Sequence, residues 1–442
     1  MLLCRKINVS RRIIKFEVTV GKIQDIILDS LTYAAEKLWN VANYERRSWT
    51  KESGEKYPDW FEQKKKLKDS YWYKCLPSQT AQELLKQLDE AWQSFFKLVR
   101  TGGIKNPQPP RYKNKGATIR YLNNGFQISE GVIRLAIPKR QKEYLFEKYC
   151  ISVDYLYIPI PDEYKKFEGN PKIIEIIPLG GRKYRVNMIV ELPKKENKPD
   201  NGVYMAIDLG INNLITCHIT TGKSYIISGR QLLSINRYFD KKMGHYQSIA
   251  YAQQSAMGNK YPKETKRIKQ LYIKRRRQVE LLLHAAAKKV IDLAMEENVP
   301  RIIIGDIEKI REGKDIGRVN NQKFHKWPFK RIKEMLVYKA EDKGIKTEMQ
   351  EESYTSQCSP YSATVSEEFA QKGGRKHRGL YEAEEKVFNA DCVGAYNILK
   401  KYLCRIGRPS PAVVGLDTPM VYRWDSQKGF ISNQKLVISM TM

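Results

Sequence analysis

Across residues 5–20, RKINVSRRIIKFEVTV, apolar and polar positions alternate with the period of two that a half-buried strand or strand pair requires. From Ile23 to about Val99 the spacing lengthens to that of helices, first in ILDSLTYAAEKLWNVANYERRSW and then in SQTAQELLKQLDEAWQSFFKLVR. In the second segment Ser78 stands where an N-cap belongs, and Leu84, Leu85, Leu88, Trp92 and Phe96 fall on one face. Trp92, Phe95 and Phe96 are assigned to helix packing rather than to base stacking. GGIKNPQPPRYKNKG, residues 102–116, is a loop by its Gly and Pro content. Strands return from Thr118 to Leu192 in TIRYL, FQI, VIRLAIP, KIIEIIPL and KYRVNMIVEL. The helical block is therefore an insertion between strands of one β-rich unit.

The polar run KKENKPDNG, residues 194–202, separates this unit from a second with a different rhythm. VYMAIDLGINNLITCHIT reads as strand, turn and strand, and KSYIISG as a third strand. Residues 262–299 form a long helix or helix pair, followed by the buried strand RIIIGD, a loop at 311–325, the helix WPFKRIKEMLVYKAEDKG and the strand IKTEMQE. The helix VFNADCVGAYNILKKYL closes the unit. Three strands, helix, strand, helix, strand, helix is an α/β order with parallel crossovers.

A chain of 442 residues is too long for one ordinary core, which implies two or three domains. Its 79 Lys and Arg against 49 Asp and Glu give a formal net charge of +30. An excess of this size selects polyanions as partners, chiefly nucleic acid. The charge is spread along the chain and no stretch reaches the roughly 18 apolar residues of a membrane span, which argues against a membrane partner. The start lacks a signal-peptide core, so the expected location is cytoplasmic, nucleoid-associated and prokaryotic. Seven scattered cysteines suggest reduced thiols rather than a disulfide framework.

Against this basic background two carboxylates stand out. Asp208, in MAIDLG, follows an apolar strand, and Asp391, in FNADCVGAYNIL, opens the last helix. Acids gathered at strand ends suit Mg²⁺, which takes hard oxygen ligands. Either residue alone has a plain structural reading, because Asp is common in turns and at helix starts.

AIDLGINNL, YTSQC and NADCVGAYNIL together resemble the nuclease segments of the TnpB family of transposon-encoded, RNA-guided DNA endonucleases related to type V CRISPR effectors. LPSQTAQELLKQLDEAWQSFF and PPRYK are similar to that family's N-terminal half, so the resemblance spans about residues 1–404. It implies a multidomain α+β fold. A β-barrel-like wedge domain (1–22 and 117–195) would carry an inserted helical recognition domain (23–116), with a linker at 196–202. A RuvC-type, RNase H-like α/β nuclease domain (203–352 and 386–404) would hold a small inserted lobe (353–385), with a C-terminal tail at 405–442. By the same resemblance Asp208 is the first catalytic and metal-holding carboxylate and Asp391 the last, with two Mg²⁺ ions expected.

The middle carboxylate departs from the family pattern. Where Glu-Asp-Leu is usual, this chain reads Gly305-Asp306-Ile307. Asp306 and Glu308 are candidates, but neighbouring strand residues face opposite ways, which turns Asp306 off the site. The implied strand order 3-2-1-4-5 makes the fourth and fifth strands parallel neighbours about 4.8 Å apart. The pair Glu351 and Glu352 ends the fifth, and Glu352 is therefore the preferred replacement. The family's zinc ribbon is also degenerate. Cys358-Ser-Pro-Tyr361 keeps one cysteine, RKHRGLYEAEE keeps none, and His377 is the one further soft ligand in the insert. No zinc is expected, and Tyr361, Phe369 and Tyr381 are expected to hold the lobe instead.

The candidate nucleic-acid contacts are Arg11 and Arg12 on the first strand, Arg111 and Lys113 in PPRYK, Lys274, Arg275 and Arg276 in a basic helix, and Arg375 and Lys376 in GGRKHRG. Lys326 and Trp327 open a helix near the cleft, with the Trp read as packing. The implied function is RNA-guided cleavage of double-stranded DNA by a monomer carrying guide RNA. The alternatives are a nuclease-dead RNA-guided repressor and, more remotely, a strand-transferring transposase.

Overall fold

The computed structural model describes residues 9–50, 52, 54, 56–102, 106–114, 116–306, 327–370 and 379–432. It divides into two compact units, Met1–Pro193 and Lys194–Met442.

The first unit pairs strand β1 (Val9–Thr19) in unbroken antiparallel register with a late strand, Lys183–Pro193. Between them lie the helices α1 (Lys22–Ser48), α2 (Trp60–Leu67), α3 (Tyr71–Lys74) and α4 (Ser78–Thr101). Then come β2 (Ile119–Leu122), β3 (Phe126–Ser129), β4 (Val132–Ala136), α5 (Lys139–Tyr149), β5 (Tyr155–Pro159), α6 (Asp162–Lys165) and β6 (Asn170–Gly180), with Lys183–Pro193 as β7. The strands form a four-stranded sheet, β1-β7-β6-β2, and a three-stranded one, β3-β4-β5.

Helix α4 begins one residue earlier than the sequence suggests. Pro77 is the N-cap and Ser78 is already helical, its Oγ accepting from Gln82 Nε2 at 3.1 Å. Leu84, Leu85, Leu88 and Trp92 are buried as their spacing requires, whereas Phe96 is 38% exposed and packs edge-on against Tyr57. Helix α5 was not legible as a helix, because only Gln141 and Leu145 are buried and so thin a stripe leaves no helical period.

The helices of this unit are tied by a buried ion pair. Arg46 of α1 meets Asp89 of α4 at 2.8 Å, with side chains 1% and 9% exposed, and also donates to Gln63 of α2 at 2.8 Å. The PPRYK loop is held from α1 as well. Trp39 Nε1 donates to the Arg111 carbonyl at 3.1 Å, Asn43 Nδ2 to that of Pro110 at 2.9 Å and Asn40 Nδ2 to that of Lys113 at 2.8 Å.

The second unit is built on one sheet. Its strands are β8 (Tyr204–Leu209), β9 (Asn213–Ile219), β10 (Ser224–Ser228), β11 (Arg301–Asp306) and β12 (Lys346–Glu351), then a hairpin of β13 (Leu380–Ala383) and β14 (Lys386–Asn389), and finally β15 (Met420–Asp425) and β16 (Gly429–Ser432). Helices α7 (Arg230–Ala256) and α8 (Lys266–Glu296) precede β11, α9 (Phe329–Glu341) precedes β12, and α10 (Ala390–Arg405) follows the hairpin.

The sheet order is β12-β11-β8-β9-β10-β15-β16, with β11 parallel to both β8 and β12. Its first five strands are the expected 3-2-1-4-5. Two features differ from the sequence reading. Residues 230–256, given no helix there, form α7, whose buried positions are few and widely spaced. Within the segment expected as a C-terminal tail, β15 pairs in parallel with β10 and buries Tyr422, and β16 buries Phe430, so these two strands extend the sheet. The exposed edge of β10 is thereby covered.

Opposite faces of the sheet take different helices. Met205, Ile207, Ile302 and Ile304 pack with residues of α8 and α9, whereas Tyr204, Ala206 and Ile303 pack against Ile398, Leu399 and Tyr402 of α10. Strand parity then places Asp208 and Gly305 on the α10 face and Asp306 on the other.

Removing one member of a buried ion pair leaves an uncompensated charge, at a cost of about 3–5 kcal/mol. Asp89→Ala is expected to destabilise the first unit by about that amount, read as a lower denaturant midpoint. A change of less than about 1 kcal/mol, the worth of an exposed pair, would show that the pair is not needed.

Candidate active site

Asp208 is the penultimate residue of β8, and its carboxylate lies against the start of α10. A Cβ on Gly394 would stand 2.6 Å from Asp208 Oδ2, so glycine here leaves the carboxylate its room against the helix. Asp391 occupies the first turn of the same helix, whose N-cap Asn389 accepts from the Asp391 and Cys392 backbone N–H groups at 3.1 and 3.2 Å. A carboxylate is favourable at that end of the helix dipole. Asn213 Nδ2, at the start of β9, donates to Asp391 Oδ2 at 2.7 Å and fixes its direction.

The third carboxylate is Glu352. In the parallel register Gly305 stands beside Gln350, and Glu352 follows two residues later with the same parity. Its side chain turns back across β11. A Cβ on Gly305 would overlap Glu352 Oε1 and lie 2.6 Å from its Cδ and 2.9 Å from its Cγ. The carboxylate of the fifth strand thus fills the space that a side chain on the fourth would take.

Glu352 Oε1 is buried and has no hydrogen-bond partner. Burial first, then the charge of Asp208, then those of Asp306 and Glu351, push the Glu352 carboxyl up to about 8. Such an oxygen lacks a cation or a donor.

Asp306 is turned away as strand parity requires, and meets Lys333 Nζ of α9 at 2.8 Å. Glu308, His377, Arg375, Lys376 and Lys326 lie outside the described residues. Among the described residues, no three His, Cys, Asp or Glu side chains are already closed around one point at ligand distance. The acids nonetheless suit a divalent cation, because the orphaned Glu352 oxygen and the mutual repulsion of the carboxylates are what such a charge would relieve.

Several contributors were read in the sequence only as packing, as Trp327 was, or not at all. Trp327, 3% exposed, donates from Nε1 to the Gly210 carbonyl at 2.9 Å and so holds the turn after Asp208. Asn213 and Gly394 lie within the quoted motifs, but their roles depend on contacts between distant segments. In the inserted lobe Tyr361 packs on Phe388, with ring centroids 6.0 Å apart, and Tyr381 donates to the Gln357 carbonyl at 2.9 Å. Phe369 is half-buried. Cys358 is buried and its Sγ donates to the Ser366 carbonyl at 3.3 Å.

The basic candidates divide by their partners. Arg11 pairs with Glu191 at 3.0 Å while remaining largely exposed. Arg12, Arg111, Lys274 and Arg276 are exposed. Lys113 lies 3.9 Å above the Trp39 ring, and burial lowers its pKa. Arg275 donates to Asn236 Oδ1 at 2.7 Å. The last two anchor their own segments.

Comparison with known proteins bears out the resemblance to TnpB proteins. A family model described as "Probable transposase" (OrfB_IS605) matches residues 187–311, and "Cas12f1-like, TNB domain" matches residues 329–398. The chain is 24% identical over 417 residues to "TnpB-like protein ORF457" of Acidianus two-tailed virus, covering 86% of this chain and 84% of that one. It is 26% identical over 180 residues to "CRISPR-associated endodeoxyribonuclease Cas12f1" of Sulfoacidibacillus thermotolerans, covering 40% and 41%. Among solved structures, the "Cas12f1-sgRNA-target DNA complex" gives a TM-score of 0.59 at 17% identity over 86% of this chain and 83% of that one. That likeness is one of fold, a multidomain α+β architecture. No described helix is long and apolar enough to cross a membrane.

The raised Glu352 pKa has a consequence for stability. Between its ordinary value of 4.5 and about 8 the folded chain keeps a proton that the unfolded chain has released. Stability therefore falls as pH rises through that window, by at most about 1.4 kcal/mol per pH unit. In metal-free buffer Glu352→Gln is expected to melt higher than wild type at pH 8, with the difference closing toward pH 4.5. Parallel melting curves for the two proteins across this range would contradict the assignment.

Proposed function

We propose that this chain is an RNA-guided DNA endonuclease of transposon origin whose cleavage site is the carboxylate group of the second unit. The observation that carries the reading is the Glu352 carboxylate, buried, orphaned and set against Asp208 in the space left by Gly305. The printed names of the relatives, TnpB-like proteins and an endodeoxyribonuclease, support the same class.

Asp208, Glu352 and Asp391 would hold Mg²⁺, two ions by family resemblance. When bound, such ions activate water and stabilise charge on the attacking and leaving oxygens of a phosphodiester. The chain's own residues orient and exclude. Asn213 aims Asp391, Trp327 fixes the turn after Asp208, and Lys333 keeps Asp306 on the opposite face. Sequence choice is delegated to guide RNA pairing, while basic groups hold phosphates. Arg11, Arg12 and Arg111 in the first unit and Lys274 and Arg276 in the second are the exposed groups for that work. The first unit would correspond to the wedge and recognition domains.

The test is Mg²⁺-dependent cutting of target DNA by the ribonucleoprotein carrying its co-purified RNA. Asp208→Ala, Glu352→Ala and Asp391→Ala are expected to lower the rate by about 10²-fold or more without loss of target binding. Asp306→Ala is expected to retain cutting. Gly305→Glu alone is expected to be inactive, because its Cβ collides with Glu352. Gly305→Glu combined with Glu352→Ser returns a carboxylate to the fourth strand and is expected to recover cutting. A wild type that binds its target but never cuts would instead select the nuclease-dead repressor. A dead Asp306→Ala beside an active Glu352→Ala would sink the rearranged site.

A further inference from the structure

Glu352 makes no hydrogen bond through Oε1, so its position is set by the backbone that carries it. That backbone turns sharply at once. Tyr354 has φ of 65°, a strained conformation for a large side chain. Thr355 folds back on Glu352, its N–H and Oγ1 donating to the Glu352 carbonyl at 3.2 and 2.9 Å.

The turn is gripped from α10. Asn397, fully buried, donates from Nδ2 to the carbonyls of both Thr355 and Cys358 at 2.8 Å. One turn further along the helix Lys400, 4% exposed, donates from Nζ to the Pro360 carbonyl at 3.0 Å and to the Ser362 carbonyl. Four carbonyls of the segment after Glu352 thus converge on two buried donors of a single helix. Buried carbonyls require such donors, and a buried ammonium is kept only where several oxygens surround it.

We infer that Asn397 is a positioning residue for metal capture: it holds the turn after β12 so that the Glu352 carboxylate stays against Asp208, and Lys400 locks the next stretch of the same segment. Asp391 stands on the same helix, so one rigid element sets two of the three carboxylates relative to each other. The inference rests on the reading that Asp208, Glu352 and Asp391 hold the metal.

The experiment compares wild type, Asn397→Ala and Asn397→Ser. Mn²⁺ binding to the chain without nucleic acid is followed by calorimetry, and the Mg²⁺ dependence of cutting and target binding in EDTA are followed in the ribonucleoprotein. Loss of a group that orients a metal ligand typically costs about 10–100-fold in metal affinity. Asn397→Ala is expected to weaken Mn²⁺ binding and raise the Mg²⁺ midpoint for cutting by about tenfold. The rate at saturating Mg²⁺ and target binding in EDTA should stay near wild type. Asn397→Ser keeps a donor too short to reach both carbonyls, and covers the case in which the alanine variant does not fold. Its expected shift has the same direction. If wild type binds Mn²⁺ and cuts while a folded Asn397 variant matches it at every metal concentration, the positioning role is overturned. It is equally overturned if cutting falls at all metal concentrations with an unchanged midpoint. If wild type neither binds Mn²⁺ nor cuts, it is the nuclease reading that fails.

Discussion

A carboxylate lodged where residue 305 has no side chain is the contact on which the candidate site depends. Glu352 reaches that space from the neighbouring strand, and Gly305 is what makes the space. The arrangement is unfavourable by itself. An oxygen is buried without a partner, and the charges that act on it most strongly are those of other acids. The surrounding structure must hold it. The β8 and β11 core packs helices on both faces of the sheet, and the strands are buried from Tyr204 to Ile207 and from Ile302 to Gly305. A rigid apolar frame with acids at its end is a common way to store a binding potential that an added cation releases.

Much of this was legible before any coordinates. The strands β8, β9 and β11 announce themselves by apolar runs, and the family resemblance implied the strand order, so that with strand parity Asp208 and the vacated position at Gly305 fall on one face. The same parity placed Asp306 on the other face, where Lys333 meets it. What escaped were features carried by distant contacts. Asn213 reaching Asp391, and Gly394 making room for Asp208, leave no periodic trace. The tail strands escaped because β15 and β16 are short, and only their Tyr422 and Phe430 are buried. Ser78 was misplaced by one residue because Pro77 ends the preceding turn and takes the cap itself.

The basic excess also reads differently once side chains are placed. Within the first unit Arg46 is buried against Asp89, and Lys113 lies on Trp39. Within the second, Arg275 is held by Asn236, and Lys400 is enclosed by carbonyls. These cations are structural elements and add little to a phosphate-facing surface. A net charge of +30 still selects an anionic partner, but only the residues without such internal commitments can contribute to its salt dependence.

Moving a ligand from the fourth strand to the fifth has a mechanical consequence. β11 lies between β8 and β12, whereas among the described residues β12 ends the sheet order and pairs with β11 alone. A side chain on β11 would be positioned by its neighbours on both sides. Glu352 stands just past the end of an edge strand, where local opening is cheapest. Precision there has to be supplied from outside the sheet. Asn397 and Lys400 supply it by capturing the carbonyls that follow Glu352, and they do so from the helix that already bears Asp391. The brace and the relocated acid belong to one arrangement, because an edge-strand ligand left without such donors would lose its register with Asp208.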